Sequence, residues 1–339
     1  MILIDDIEIV CPRCRGGLER RDAPANLECQ QCESRYPVVC GIPDLRTRPD
    51  PYIAFGPDRD KARAIADAAA TRTFEQLVEW YYGHTDVVPA KDARLYTRGL
   101  LTAAARSRQT LEAWARVLEE LGGPRTGAFL DLGCGTAPLA AAALGRFRPV
   151  IGVDIALRWL VVARRRLADL GLDVPLICAC AEALPFRDQV FDVVGMESVL
   201  ETVLAQDQAA DEVHRALTRE GAWCLTTPNR FSIGPDPHTG LPGGSLLPAS
   251  LVAAYVRRKG GIPPHRRLLS AWSLRRLVAR HGFPECAVFP PEITPEQRAS
   301  VSRPTRIAVD VYQAFRRLPG AEWVLRAIGP LHHAVALKA

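Results

Sequence analysis

The sequence predicts an α/β protein: a doubly wound, Rossmann-like parallel sheet preceded by a small metal-held module and carrying helical insertions. Three observations predict it. From Ala128 onward, short apolar runs alternate with amphipathic segments, the mark of strands joined through helices. The first of those runs ends in the glycine turn Asp131-Leu132-Gly133-Cys134-Gly135, and the second ends in an acid, Asp154. Near the start, Cys11, Cys14, Cys29 and Cys32 read C-x2-C-x14-C-x2-C.

Size and composition bound the rest. A chain of 339 residues suggests about two domains. With 48% hydrophobic and 24% charged residues it is neither disordered nor fibrous. The net charge of +5, spread over this length, does not mark a nucleic-acid binder by itself. The opening MILIDDIEIV has no basic region before an apolar run, so no signal peptide is expected. Arg164 and its neighbours interrupt the longest apolar stretch, so no membrane span is expected either. The chain reads as cytoplasmic with reduced thiols, and ten cysteines there ask for a metal or catalytic explanation.

The elements follow in chain order. Two C-x-x-C turns can aim four thiolates at one point, which gives a closed tetrahedral shell for a structural Zn2+ at Cys11, Cys14, Cys29 and Cys32. The stretch between the pairs is rich in turn formers and poor in apolar residues, as expected of a module too small to fold without its metal. The module is expected over 1–48, a Pro- and Asp-rich linker over 49–60, and one large domain over 61–339. Helical spacing of Ile65, Phe74, Leu77, Tyr81, Leu111, Trp114 and Leu118 predicts a helical preface over 61–121, stopped by Gly122-Gly123-Pro124. Strands are expected at AFLDLG, PVIGVD, VPLICAC, FDVVGM and AWCLTTP. In such a sheet the ligand lies at the carboxyl ends of the strands, near the switch point.

Glycines at 133 and 135 would let the turn approach a ligand, and Asp154 can hold a ribose diol, as in a dinucleotide site. Two details argue against a dinucleotide. Asp131 sits beside the turn, where a pyrophosphate would be repelled, and no Lys or Arg follows until Arg146. An anionic turn suits a cation, and S-adenosylmethionine carries a sulfonium and an ammonium group.

At this point two resemblances become specific. The segment Cys11–Arg46, with its tail Tyr36-Pro37-Val38 and Gly41-Ile42-Pro43-Asp44-Leu45, resembles the short bacterial zinc ribbons that precede methyltransferase domains. DLGCGTAP, GVDIA, AEALPFRDQVFDVV, VLETV, EVHRALTREGAWCLTTPN and HHAVALKA resemble, in order, the motifs of class I S-adenosylmethionine-dependent methyltransferases. The second resemblance implies a seven-stranded methyltransferase sheet whose last strand is antiparallel. It implies a cofactor site of Asp131, Leu132, Gly133, Cys134, Gly135, Asp154, Ile155, Cys180, Ala181, Glu182 and Glu197. In it Asp131 organises the turn, Asp154 takes the ribose hydroxyls and Ile155 packs on the adenine. The family usually has an Asp where this chain has Cys180, and a thiol is a poor acceptor for the adenine amino group. The family's frequent Glu-His pair reads Glu201-Thr202.

The acceptor side is read from residues 229–248, a loop with four glycines and four prolines that contains His238. His238 and Glu197 are the candidate catalytic residues, His238 as general base or as a group orienting the acceptor. Segments 229–282 and 291–330 are expected to form lids, with Asn229 and Arg230 shaping the pocket floor. The leading expectation is methyl transfer to a small-molecule acceptor of isoprenoid, quinone-like or secondary-metabolite type. One alternative is an RNA methyltransferase, since zinc ribbons also precede ribosomal RNA methyltransferase domains and paired arginines could meet phosphates. Another is a non-catalytic interaction protein on a degenerate methyltransferase fold. A homodimer is left open.

Overall fold

The computed structural model describes residues 2–4, 6–22, 25–85, 90–236, 238–293, 295–300 and 303–339. Small parts of the expected preface (86–89) and lids (237, 294, 301–302) lie outside the described residues. The N-terminal module is all β: a hairpin of β1 (Ile2–Ile4) and β2 (Ile7–Ile9), then β3 (Leu18–Asp22), β4 (Ala25–Cys29), β5 (Arg35–Val39) and β6 (Ile42–Pro43) in one antiparallel sheet. The turn-rich stretch between the cysteine pairs thus forms the β3–β4 hairpin.

Four helices follow: α1 (Phe55–Ala69), α2 (Phe74–Gly83), α3 (Ala90–Leu101) and α4 (Ala103–Glu120). Helix α2 starts on a capping box in which Thr73 and Gln76 satisfy each other's backbone groups. The stretch 49–60, expected as a linker, is not a free spacer. Helix α1 begins inside it, because Asp50 and Asp58 are drawn into the protein by arginines.

The main sheet comprises β7 (Phe129–Leu132), β8 (Val150–Asp154), β9 (Leu176–Cys178), β10 (Phe191–Glu197), β11 (Leu217–Pro228), β12 (Glu285–Phe289) and β13 (Leu331–Leu337). Its helices are α5 (Pro138–Ala143), α6 (Leu157–Asp169), α7 (Gln206–Ala216), α8 (Ala249–Arg258), α9 (Ala271–Arg280), α10 (Pro295–Ser300), α11 (Arg303–Arg316) and α12 (Ala321–Ile328). The strand order is β12-β13-β11-β10-β7-β8-β9, parallel except that β13 runs antiparallel to both neighbours. This is the seven-stranded arrangement the sequence led us to expect. Strand β7 is buried along its whole length, as a central parallel strand covered on both faces must be. The order reverses between β7 and β10, which opens a crevice at their carboxyl ends.

Each face of the sheet carries its own core. On one face α1, α2, α4, α5 and α6 pack through Ile65, Val78, Trp114, Leu139 and Leu160 onto Phe129 and Val150. On the other, α7 and α9 share a core with the module, whose Ile9, Leu18, Leu27 and Tyr36 join Leu130, Ile151 and Phe186. The module is thus stitched to the sheet rather than tethered to it. Ile9 bridges Phe186, Asp44 bridges Cys178 in parallel, and Leu45 N–H donates to Cys178 O at 2.7 Å.

A buried ion cluster locks this junction. The Arg46 guanidinium, wholly shielded from solvent, donates to Asp44 (2.7 and 2.8 Å), to Asp58 (2.6 Å) and to the carbonyl of Ile155 (3.0 Å). Arg158 ties Asp58 to Asp50 at 2.8 and 2.9 Å. Removing one partner of a buried pair strands the other charge. Arg46→Ala is therefore expected to lower stability by about 3–5 kcal/mol in denaturant unfolding. A loss below about 0.5 kcal/mol, the scale of surface substitutions, would show that the cluster does not hold the junction.

Candidate functional site

The site is built from the ends of β7, β8, β10 and β11. After β7 the chain turns through Gly133 (φ +78°) and Gly135 (φ +52°), both in the left-handed region that glycine adopts without strain. A side chain at 133 would lie 2.1 Å from Val199, so only glycine lets the loop after β10 close on this turn. Around Gly135 the space is open, which leaves a cradle on its exposed side. The turn is pinned from below, because Gly133 and Cys134 N–H both donate to Val153 O. Leu132 and Cys134, expected at the cofactor, turn their side chains into the two cores.

Three carboxylates face this turn. Asp154 accepts from Gly135 N–H (2.8 Å) on one oxygen and from Ala156 N–H (2.7 Å) on the other. Asp131 is buried and accepts from Ala140 N–H at 2.8 Å. Burial pushes its carboxyl well above the usual range, and the negative charges of Glu197 and Asp154 push the same way. Desolvation raises Asp154 as well. A cation entering the crevice relieves this crowding and a phosphate would worsen it. Glu197, at the end of β10, is gripped by α4: Ser107 Oγ donates to it at 2.6 Å and Thr110 Oγ1 at 3.1 Å. Next to it Ser198 sits at φ +58°, a strained backbone at the mouth of the crevice.

At the far end of the crevice the exit of the N-terminal module lies against the β9–loop corner. Cys180 is fully buried, its thiol receiving the Thr47 hydroxyl and pointing to Arg48 O, both at 3.7 Å. Ile155 is partly exposed, and Ala181 is buried beside Cys180.

The long loop after β11, expected to face the acceptor, is ordered around Asp236. This buried carboxylate accepts from His238 N–H (3.0 Å), Thr239 N–H (3.0 Å), the Thr239 hydroxyl (3.1 Å) and the Ser245 hydroxyl (3.1 Å), and pairs with Arg266. Arg266 and the hydrogen bonds hold the Asp236 carboxyl below the usual range against the pull of burial. So anchored, the loop delivers His238 Nε2 to 3.3 Å from Glu201 Oε1. Glu201 is fully buried, and the Thr227 hydroxyl donates to its other oxygen at 3.1 Å. An acid and a histidine that lie far apart in sequence are thereby brought face to face, in contact but without a hydrogen bond between these two atoms. Across the β11–β13 ladder Thr227 faces His332, which is buried with neither ring nitrogen bonded.

Other expectations are corrected. Asn229 does not line a pocket floor: its amide nitrogen donates to Ala327 O (3.0 Å) and Gly329 O (2.9 Å), fastening the first lid segment to the end of α12. Arg230 is taken up by Ser245 O. Arg166, one of the arginines next to Arg164 that could have met phosphates, is instead buried against Phe74 and donates to Leu100 O. Sequence reasoning missed Ser107, Thr110, Glu201 and His332. The first two were legible as polar residues three apart on the apolar stripe that continues through Leu111 and Trp114. At the N-terminus the four cysteine sulfurs lie within 4.8 Å of one another, with Cys11 to Cys32 at 3.6 Å and Cys14 to Cys29 at 3.4 Å. Sulfurs bound tetrahedrally at 2.3 Å would stand about 3.8 Å apart, so the donor set fits a zinc-sized ion.

A mostly parallel seven-stranded sheet with a switch-point crevice, a glycine turn after its first parallel strand and an acid at the end of the next is the arrangement of a class I methyltransferase fold. Comparison with known proteins agrees. Residues 130–225 match a methyltransferase-domain family model. A ubiquinone/menaquinone biosynthesis C-methyltransferase of Ectopseudomonas oleovorans is 32% identical over 155 residues, 42% of this chain and 91% of that protein. Its counterpart in Bordetella avium is 41% identical over 95 residues, 27% of this chain and 37% of that one. The chain spans 37%, 39% and 46% of the length of three such relatives. Among solved structures, an S-adenosylmethionine-dependent methyltransferase of Thermotoga maritima is similar at 19% identity and TM-score 0.45, over 74% of this chain and 97% of that one. The chain belongs to the class I S-adenosylmethionine-dependent methyltransferases. No helix among the described residues is long and apolar enough to cross a membrane.

Proposed function

We propose that this protein transfers a methyl group from S-adenosylmethionine to an apolar, ionisable small molecule of the hydroquinone or phenol type, and that its cysteine cluster holds a structural zinc ion. Two observations carry the reading: the carboxylates Asp131, Asp154 and Glu197 gathered at the glycine turn, and the approach of His238 to Glu201, which is bonded to Thr227 at the carboxyl end of the neighbouring strand β11. Bound S-adenosylmethionine would supply an electrophilic methyl group on sulfur. Asp154 holds the ribose diol, Gly133 and Gly135 give the backbone close approach, and the carboxylates favour the cationic end. His238, steadied by Glu201, takes the proton that the acceptor loses as its new bond to carbon forms.

An apolar acceptor is supported by the lid segments, which expose Phe231, Ile233, Leu251, Trp272, Ile307 and Trp323. The resemblance to quinone C-methyltransferases points to the same class. Arginines that would otherwise suit an RNA are partly engaged inside the fold, as with Arg166 and Arg266. With an alkyl-naphthohydroquinone as acceptor, His238→Ala is expected to lower kcat by about 10²–10⁴-fold, the usual worth of general-base catalysis. Its affinity for S-adenosylhomocysteine should stay unchanged by calorimetry, and Glu201→Gln should lower kcat in the same direction. Wild-type turnover by His238→Ala would remove the histidine from the chemistry.

A further inference from the structure

Two buried polar atoms at the adenine end of the crevice have nothing to bond. Arg48, on the exit of the N-terminal module, donates through Nη2 to Glu182 Oε1 at 2.5 Å. That oxygen also accepts from Leu204 N–H (2.8 Å) and Ala205 N–H (3.3 Å), so the carboxylate is fixed. The Glu182 side chain is 7% exposed. Yet Arg48 Nη1 and Glu182 Oε2 are both buried without a partner. A stranded donor and a stranded acceptor are each unfavourable, and when the two side chains form one ion pair they ask for a group that presents the complementary pair. Adenine does so along one edge, where its amino group donates and ring N1 accepts. The position that would ordinarily offer an acid to that amino group is Cys180, whose thiol is already turned to Thr47 and Arg48.

We propose that Arg48 and Glu182 together read the adenine edge of the cofactor. Glu182 Oε2 accepts from the amino group and Arg48 Nη1 donates to N1, in place of the missing acid at 180. This rests on the reading of the crevice as an S-adenosylmethionine site. It makes the N-terminal module a wall of the cofactor pocket, since Arg48 is held there by Leu45 on Cys178 and by the Arg46 cluster.

The test is titration calorimetry of the full, zinc-loaded chain with S-adenosylhomocysteine and with its inosine counterpart, in which a carbonyl replaces the amino group and N1 carries a hydrogen. Wild type is expected to prefer the adenosine compound by about tenfold or more, the worth of a hydrogen bond to a charged group. Arg48→Ala and Glu182→Gln should each weaken the adenosine compound by about tenfold, and Glu182→Gln should also erase the preference. Glu182→Gln keeps the side chain's size, so it decides the matter if Arg48→Ala disturbs the module. If wild type binds and both variants bind equally well with the preference intact, the assignment is overturned. If wild type binds neither compound, the cofactor reading itself fails and this one falls with it.

Discussion

Asp154→Ala is expected to weaken S-adenosylhomocysteine binding by about 10²–10⁴-fold. A ribose diol can give two hydrogen bonds to this carboxylate, and each bond to a charged group is worth about 1.5–3 kcal/mol. The loss does not stop at the ligand. Asp154 is also the acceptor that fixes Gly135 N–H and Ala156 N–H, so the glycine turn loses its brace when the carboxylate goes. Asp154→Asn should fall between the two, since its amide keeps one acceptor but turns a donor toward one of the two N–H groups. Calorimetry on folded protein checks this, and a variant binding within about threefold of wild type would contradict the ribose role.

Cys29→Ser is expected to empty the cysteine cluster and unfold the module around it. Zinc binding in modules of this size supplies about 10–16 kcal/mol of apparent folding free energy, so a module without its ion has little to hold it. Here the damage should spread. Cys29, Leu18, Leu27 and Tyr36 belong to one apolar core with Leu130, Ile151 and Phe186 of the main sheet. Tyr36 OH also lies 3.2 Å from Cys11 Sγ, linking the cluster to that core. Exposing this face should lower Tm by roughly 10 °C or more, given about 2–4 °C per kcal/mol in a chain of this class. Metal analysis should return one zinc per chain in wild type and none in the variant. An unchanged Tm with the metal gone would show the module to be a passive appendage.

Much of this was legible because it lies in local pattern. The strand–helix alternation, the glycine turn, Asp154 and the cysteine spacing each depend on neighbours in sequence, and period and spacing report them directly. Long-range returns of the chain do not announce themselves in this way. Nothing around His238 says that its loop folds back onto Glu201, because that closure depends on Asp236 collecting hydrogen bonds from residues up to 30 positions away. The stretch 49–60 read as a linker because Pro and Asp are turn formers. Its aspartates are instead the counter-ions of Arg46 and Arg158, and only the fold brings those arginines within reach. Asn229 misled for a related reason: at the end of a strand it resembles a pocket corner, whereas its amide caps a helix about a hundred residues further on.

The most direct measurement is methyl transfer itself. The zinc-loaded chain is incubated with S-adenosylmethionine bearing a deuterated methyl group, an alkyl-naphthohydroquinone and cellular RNA, and the small-molecule and RNA fractions are weighed by mass spectrometry. The expected result is deuterated methyl on the hydroquinone, S-adenosylhomocysteine formed in equal amount, and loss of both in Asp154→Ala. Label in the RNA fraction, or no S-adenosylhomocysteine above the enzyme-free control, would contradict the account.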